Sequence, residues 1–274
     1  MLKARVLTVL IVLPLFLSAL FYLQDIFWLA LLLILTVIGA REWSKLARFS
    51  VKNTIVFMLL TVIIGSELLL LLRESVQVNA YSTNVIWAYI LSVIFWIGGV
   101  PIYLKKYYTI KNPFMWMLTG WIVLLPTCLA LYQLRFISPL LLLGFMATLW
   151  ISDTAAYFTG RAFGKYKLAQ AISPNKTWEG VIGAMIAVFV YGLVWSFSVT
   201  DESIVLALVP LLMVMAMLGI IGDLYESMLK RQAGLKDSGN ILPGHGGILD
   251  RIDALTSSLP LAAVALLIYY TPLS

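Results

Sequence analysis

Long apolar stretches alternate with short polar turns from one end of the chain to the other. A helix that crosses a bilayer takes about 20 mostly apolar residues. Nine segments meet or approach that length, near residues 6–22, 26–41, 54–72, 84–104, 114–132, 138–158, 180–198, 203–222 and 254–271. The pattern predicts an all-α, polytopic integral membrane protein with about nine transmembrane helices. The second segment is short, and "REWSKLARF" after it is expected to continue as an interfacial helix, with Trp43 and its basic neighbours in the headgroup zone. The N-terminal "MLKARVLTVLIVLPLFLSALFY" has the basic start and apolar run of a signal peptide but lacks a small-x-small cleavage site, so it reads as a retained first span. No internal repeat and no separate soluble domain is evident.

Composition agrees with the pattern. Hydrophobic residues make up 62% of the chain and charged residues 12%, against roughly 25% charged in soluble domains. Mean hydropathy is +0.97. The lone Cys128 lies in an apolar stretch, which excludes an internal disulfide or a CxxC metal site and reads as a small buried hydrophobe.

The few charges sort by side. With the N-terminus placed in the cytoplasm and the spans alternating, all of the 19 lysines and arginines except Arg73 and Arg135 fall in cytoplasmic turns. The outer turns hold Asp25, Glu74, Asp201 and Glu202. This asymmetry predicts a cytoplasmic N-terminus and an external C-terminus. Residues 1–135 then read as membrane scaffold and lipid access, and residues 136–274 as the half that carries the chemistry. Glu67 stands apart, an acid inside an apolar span, where a charge costs roughly 3 kcal/mol unless it is neutralised, paired or near an interface.

Six acids gather at the expected cytoplasmic level: Asp153, Glu179, Asp223, Glu226, Asp250 and Asp253, all at or near helix ends. Convergent carboxylates at such a level point to a functional site. Asp223, Glu226 and Lys230 are spaced to share one helical face, as are Asp250 and Asp253. Carboxylates from two helix ends suit a hard cation, and Mg²⁺ favours one or two carboxylates completed by substrate phosphates. Asp223, Asp250 and Asp253 are the candidate ligands, with nearby lysines and arginines to hold phosphates. For Glu226, Asp237 and Arg231 an ion pair sealing a helix end weighs equally.

The turn "PGHGG" offers backbone freedom, so that N–H groups at Gly244, Gly246 and Gly247 could approach a phosphate closely. His245, the single histidine, is flanked by those glycines and reads as a contact to phosphate or metal-bound water. "GRAFGK" is not a P-loop: three residues separate its glycines where four are needed, and Tyr166 follows Lys165 in place of Ser or Thr.

"SMLKRQAGLKDSGNILPGHGGILDRID" resembles the signature of the CDP-diacylglycerol synthases, also called phosphatidate cytidylyltransferases, with S-x-x-K-R, K-D, P-G-H-G-G and D-R-x-D all present. "SDTAAYFTGRAFGK", "SPNKTWEG" and "AREWSKLARF" resemble the family as well, so the similarity covers nearly the whole chain. It implies an enzyme of phospholipid biosynthesis in the bacterial inner membrane that converts CTP and phosphatidate into CDP-diacylglycerol and pyrophosphate. It further implies Mg²⁺, with room for a second cation, and an active site on the cytoplasmic face. In that reading Asp223 and Asp250 hold the metal, while Asp153, Glu179 and Asp253 complete or orient its shell. Lys176, Lys230, Arg231, Lys236 and Arg251 neutralise the triphosphate and the lipid phosphate. The expected partners are CTP, phosphatidate and membrane lipid, with no nucleic acid and room for a homodimer. The alternatives are a CTP-dependent polyprenol kinase, which would need a base for its hydroxyl acceptor, and a transporter of an anionic solute. A transporter would more often show broken, repeated spans near the midplane.

Overall fold

The computed structural model describes residues 2–198, 202–241 and 246–271. Among them the chain forms nine helices: α1 (Leu2–Tyr22), α2 (Asp25–Leu46), α3 (Val51–Val78), α4 (Ile86–Lys106), α5 (Pro113–Ile137), α6 (Pro139–Phe163), α7 (Trp178–Ser196), α8 (Glu202–Ala233) and α9 (Leu249–Tyr270). Eight are long and apolar enough to cross a membrane, and α1, whose described apolar stretch is Leu10–Tyr22, completes the expected nine. The chain is an all-α polytopic membrane protein. The only sheet among the described residues is an antiparallel hairpin between α6 and α7, β1 (Lys167–Ala169) and β2 (Ser173–Thr177), pairing Lys167 with Thr177 and Ala169 with Ser173.

Local chemistry sets several boundaries. Ser50, Asn112, Ser138 and Thr177 each cap a helix by accepting from a first-turn N–H. Proline opens α5 and α6, where a missing N–H costs nothing. Within α4 the stretch Phe95–Gly99 is a single π turn, ahead of Pro101.

Two apolar layers stack along the bundle. One centres on Trp28, Leu72, Tyr89, Tyr132, Phe145 and Leu259. The other centres on Trp43, Phe57, Trp96, Trp116, Tyr225 and Leu249. Helix α9 runs through both, packing on α8, α5 and α4. Many apolar side chains stay exposed on the outer faces, such as Ile63, Ile94 and Ile186, as lipid-facing positions require.

Helix α2 continues unbroken to Leu46, as expected for "REWSKLARF", and Trp43 turns into the second layer: it is 2% exposed, and its indole N–H donates to the carbonyl of Trp116 at 2.9 Å. Gly120 on α5 makes the room, since a β-carbon there would lie 2.8 Å from that indole nitrogen. Cys128 is buried as expected. Glu67 lies on the exposed face of α3.

At one end of the bundle, Asp25 pairs with Arg73 at 2.6 Å and accepts from Tyr132 Oη at 2.7 Å. Arg135 donates to the carbonyls of Leu20 and Leu23, its guanidinium lying over the Trp28 ring. These charges come from the turns assigned together by sequence. The inward acids collect at the opposite end.

Candidate active site

Close helix packing builds the site. A β-carbon on Gly222 of α8 would lie 2.6 Å from both the Asp253 carbonyl and Ser257 Oγ, so the two backbones meet with nothing between them. Gly219 sits against Leu149 and Ala254 in the same way. One step beyond Gly222 comes Asp223, within electrostatic reach of Asp153 on α6 and Asp253 on α9. Glu226, one turn on, faces Asp253, Asp250 and Lys230. Glycines do the same between α6 and α7, where Gly180 lies against Ala156 and Gly160 against Thr177.

The hairpin then delivers a cation. Its turn inserts Ile172 into the second apolar layer, and the N–H of Trp178 donates to the carbonyl of Tyr166 at its base. That fixes Lys176, whose ammonium lies 2.5 Å from Asp223 Oδ2. Asp153, Lys176 and Asp223 line a cavity of about 310 Å³ with Asn175, Tyr157 and Ile220. Leu168, Val181 and Ile220 give it an apolar lining beside these polar groups. Tyr157 and Trp178 beside it are 58% and 52% exposed, an aromatic edge suited to a membrane interface.

Asp250 has a different setting. Its Oδ1 accepts from Lys230 Nζ at 2.7 Å, while Oδ2 accepts from the N–H groups of Gly247 at 2.8 Å and Ser238 at 2.9 Å and lies 2.9 Å from Ser238 Oγ. Lys230 bridges Asp250 to Glu226, whose Oε1 stands 3.3 Å away without hydrogen-bond alignment. The Asp250 side chain is 6% exposed and that of Asp223 is 37% exposed.

The remaining predicted residues fall in several places. Arg231 is exposed in the last turn of α8, Lys236 is exposed just beyond it, and Arg251 is exposed in the first turn of α9, its charge felt at Asp153. Glu179 is turned away from the carboxylate cluster, accepting from the N–H of Tyr166 at 3.2 Å and closing the turn that leaves α6. Gly246 has φ +82°, and a β-carbon there would lie 2.5 Å from Asp250 Oδ2. Gly247 gives its N–H to Asp250, so the described part of the glycine turn wraps a carboxylate of the protein itself. Gly244 and His245 lie outside the described residues.

Sequence reasoning missed Glu42 on α2, which is 1% exposed and accepts from Ser238 and from the N–H groups of Ile248 and Leu249. An acid placed among Arg41, Lys45 and Arg48 at the level of the other six was the available signal. It also missed Ser238, whose hydroxyl sits between Glu42 and Asp250.

For a divalent cation the donor set fits by chemistry. The carboxylates of Asp153, Glu226 and Asp253 crowd against Asp223 and Asp250, while Lys176 and Lys230 supply the paired positive charge. No three acidic, histidine or cysteine side chains among the described residues enclose an ion by themselves. An ion held there would take its remaining oxygens from water or phosphate.

Comparison with known proteins gives the class of this membrane-embedded chain: it belongs to the cytidylyltransferase family, whose model matches residues 3–269. It is 35% identical to the phosphatidate cytidylyltransferase of Pseudomonas aeruginosa over 97% of both chains, and 32% identical to that of Haemophilus influenzae over 95% of this chain and 96% of the relative. A third phosphatidate cytidylyltransferase, from Staphylococcus saprophyticus, is 47% identical over 118 residues, covering 43% of this chain and 45% of that protein.

Proposed function

We propose that this chain is a phosphatidate cytidylyltransferase, which joins CTP and phosphatidate into CDP-diacylglycerol and releases pyrophosphate. The observation that carries the reading is the cavity where Lys176 and Asp223 meet beside Asp153, with charged and apolar side chains both lining it, at the charged end of a membrane bundle. Such a cavity suits an anionic lipid head meeting a soluble nucleotide. The phosphatidate head enters along the apolar lining, past Tyr157 and Ile220. One of its phosphate oxygens attacks the α-phosphorus of CTP; that P–O bond forms as the α–β bridge breaks, and pyrophosphate leaves with the electron pair. A phosphate monoester is largely ionised near neutral pH, so no dedicated base is needed.

The protein's part is positioning and charge neutralisation. Lys176 holds phosphate oxygens from the hairpin side, and Lys230 does so from α8. Arg251, Arg231 and Lys236 extend the positive rim. Asp223 and Asp250, with Asp153 and Asp253 behind them, would hold Mg²⁺, which would supply positive charge to neutralise the phosphates and the leaving group. Residues 136–274 supply the chemistry and residues 1–135 the scaffold. The site faces the cytoplasm of a bacterial inner membrane, a reading supported by the one-sided distribution of lysine and arginine.

The test is incubation of purified protein with α-labelled CTP and phosphatidate, with and without EDTA. Labelled CDP-lipid and pyrophosphate are expected, and EDTA should abolish both. Phospho-lipid with free CDP would instead identify a kinase, and no turnover with either acceptor would refute both enzyme readings.

A further inference from the structure

We propose that Glu42, buried near the C-terminal end of α2, is a positioning residue for the transfer reaction: it fixes Ser238 and the first turn of α9 so that Asp250 and Lys230 are held in place. The inference rests on the functional reading above for the word reaction, and on geometry alone for the positioning.

The carboxylate of Glu42 is 1% exposed and forms no ion pair among the described residues. Instead Oε1 accepts from the N–H of Ile248 at 3.1 Å, Oε2 accepts from the N–H of Leu249 at 2.8 Å, and Oε2 lies 3.2 Å from Ser238 Oγ. Two of these donors are N–H groups at the start of α9, which a helix leaves without partners and which carry partial positive charge. Glu42 therefore caps α9 from another helix, more than 200 positions away in sequence.

Ser238 ties this cap to the site. Its hydroxyl lies between Glu42 and Asp250, and its N–H donates to Asp250 Oδ2. Asp250 in turn holds Lys230. The contacts thus run from Glu42 through Ser238 and α9 to the ammonium proposed to meet phosphate.

Packing would not require a carboxylate here. Burying an ionised group is costly unless donors surround it, and an apolar side chain would fill the space without that cost. The neighbouring backbone is shaped to this one: a β-carbon on Gly239 or Gly247 would collide with Glu42 Oε1. What the carboxylate adds is one defined geometry for the segment. It also engages the first-turn N–H groups of α9, so triphosphate oxygens meet side chains of Lys176, Lys230 and Arg251 rather than that helix end.

The test uses the full chain in detergent with phosphatidate, as Glu42→Gln and Glu42→Asp. The Gln amide has one acceptor where two are used and turns donors against donors, while Asp keeps both acceptors on a shorter stem. Glu42→Gln should lower kcat roughly 10- to 100-fold, as loss of a supporting partner does, with the KM for phosphatidate within about twofold because the apolar lining is untouched. Glu42→Asp should recover part of the loss. Amide exchange by mass spectrometry should show faster exchange in Glu42→Gln confined to peptides covering 236–241 and 246–252. The proposal is overturned by a kcat within about twofold of wild type, by unchanged exchange in those peptides, or by faster exchange in every helix with no recovery in Glu42→Asp. The exchange arm needs no turnover. If wild type makes no CDP-lipid the functional reading fails, while the exchange result still decides whether Glu42 holds the segment.

Discussion

Asp223 and Asp250 look equivalent in sequence, each an acid at the mouth of a glycine-rich approach, but their surroundings separate them. Asp250 accepts from Lys230, Gly247 and Ser238 and is nearly sealed, whereas Asp223 meets one lysine and the hydroxyl of Ser227 and opens on the cavity. Replacing either by Asn should lower kcat by roughly 100-fold or more, because each would hold the cation that offsets charge on the same phosphates. Their effects on stability should differ. In Asp250→Asn the amide NH₂ faces backbone donors or Lys230, leaving buried groups unpaired at about 1–3 kcal/mol, so thermal unfolding in detergent should shift down. Asp223→Asn should unfold near the wild-type temperature. Equal melting shifts would mean the two carboxylates play the same part. The acids themselves were legible because few charges occur in so apolar a chain. Glu42 was not, since its donors Ile248 and Leu249 lie at the far end of the sequence and nothing near Glu42 hints at them.

Among the elements, the nine helices followed from hydropathy, while the two irregular features did not. The hairpin at 167–177 is short, carries Pro174, and is held by Ile172 docking into a core that only tertiary packing creates. The π turn at Phe95–Gly99 leaves no periodic trace over so few residues. The decisive element contact is α8 against α9, where Gly222 admits the Asp253 carbonyl. Gly222→Val should wedge these helices apart at an overpacking cost of about 1–3 kcal/mol, lowering the unfolding temperature and turnover together. Retained activity with a normal melting curve would show that the approach is looser than the geometry implies. A suitable exposed control is Lys52→Ala. Arg135 would be a poor one, because it ties down the carbonyls ending α1.

For the whole molecule, the charge asymmetry read from sequence predicts which end faces the cytoplasm, and the buried Cys128 makes that testable without removing a native thiol. Lys236→Cys, at an exposed position, should resist an impermeant thiol reagent in intact cells and react once the membrane is permeabilised; ready labelling from outside would invert the topology. Ser238, one turn away, is too buried to serve. The site draws on α2, the hairpin, α8 and α9, which is synthesised after the other three. Until α9 emerges, Lys230 has no Asp250, yet Glu226 one turn earlier on the same helix already lies beside it. Helix α8 therefore carries its own counter-charge while it waits, which eases its passage into the bilayer as a newborn segment. Arrival of α9 recruits the same lysine into the finished centre, so competence would appear only once α9 is threaded into place.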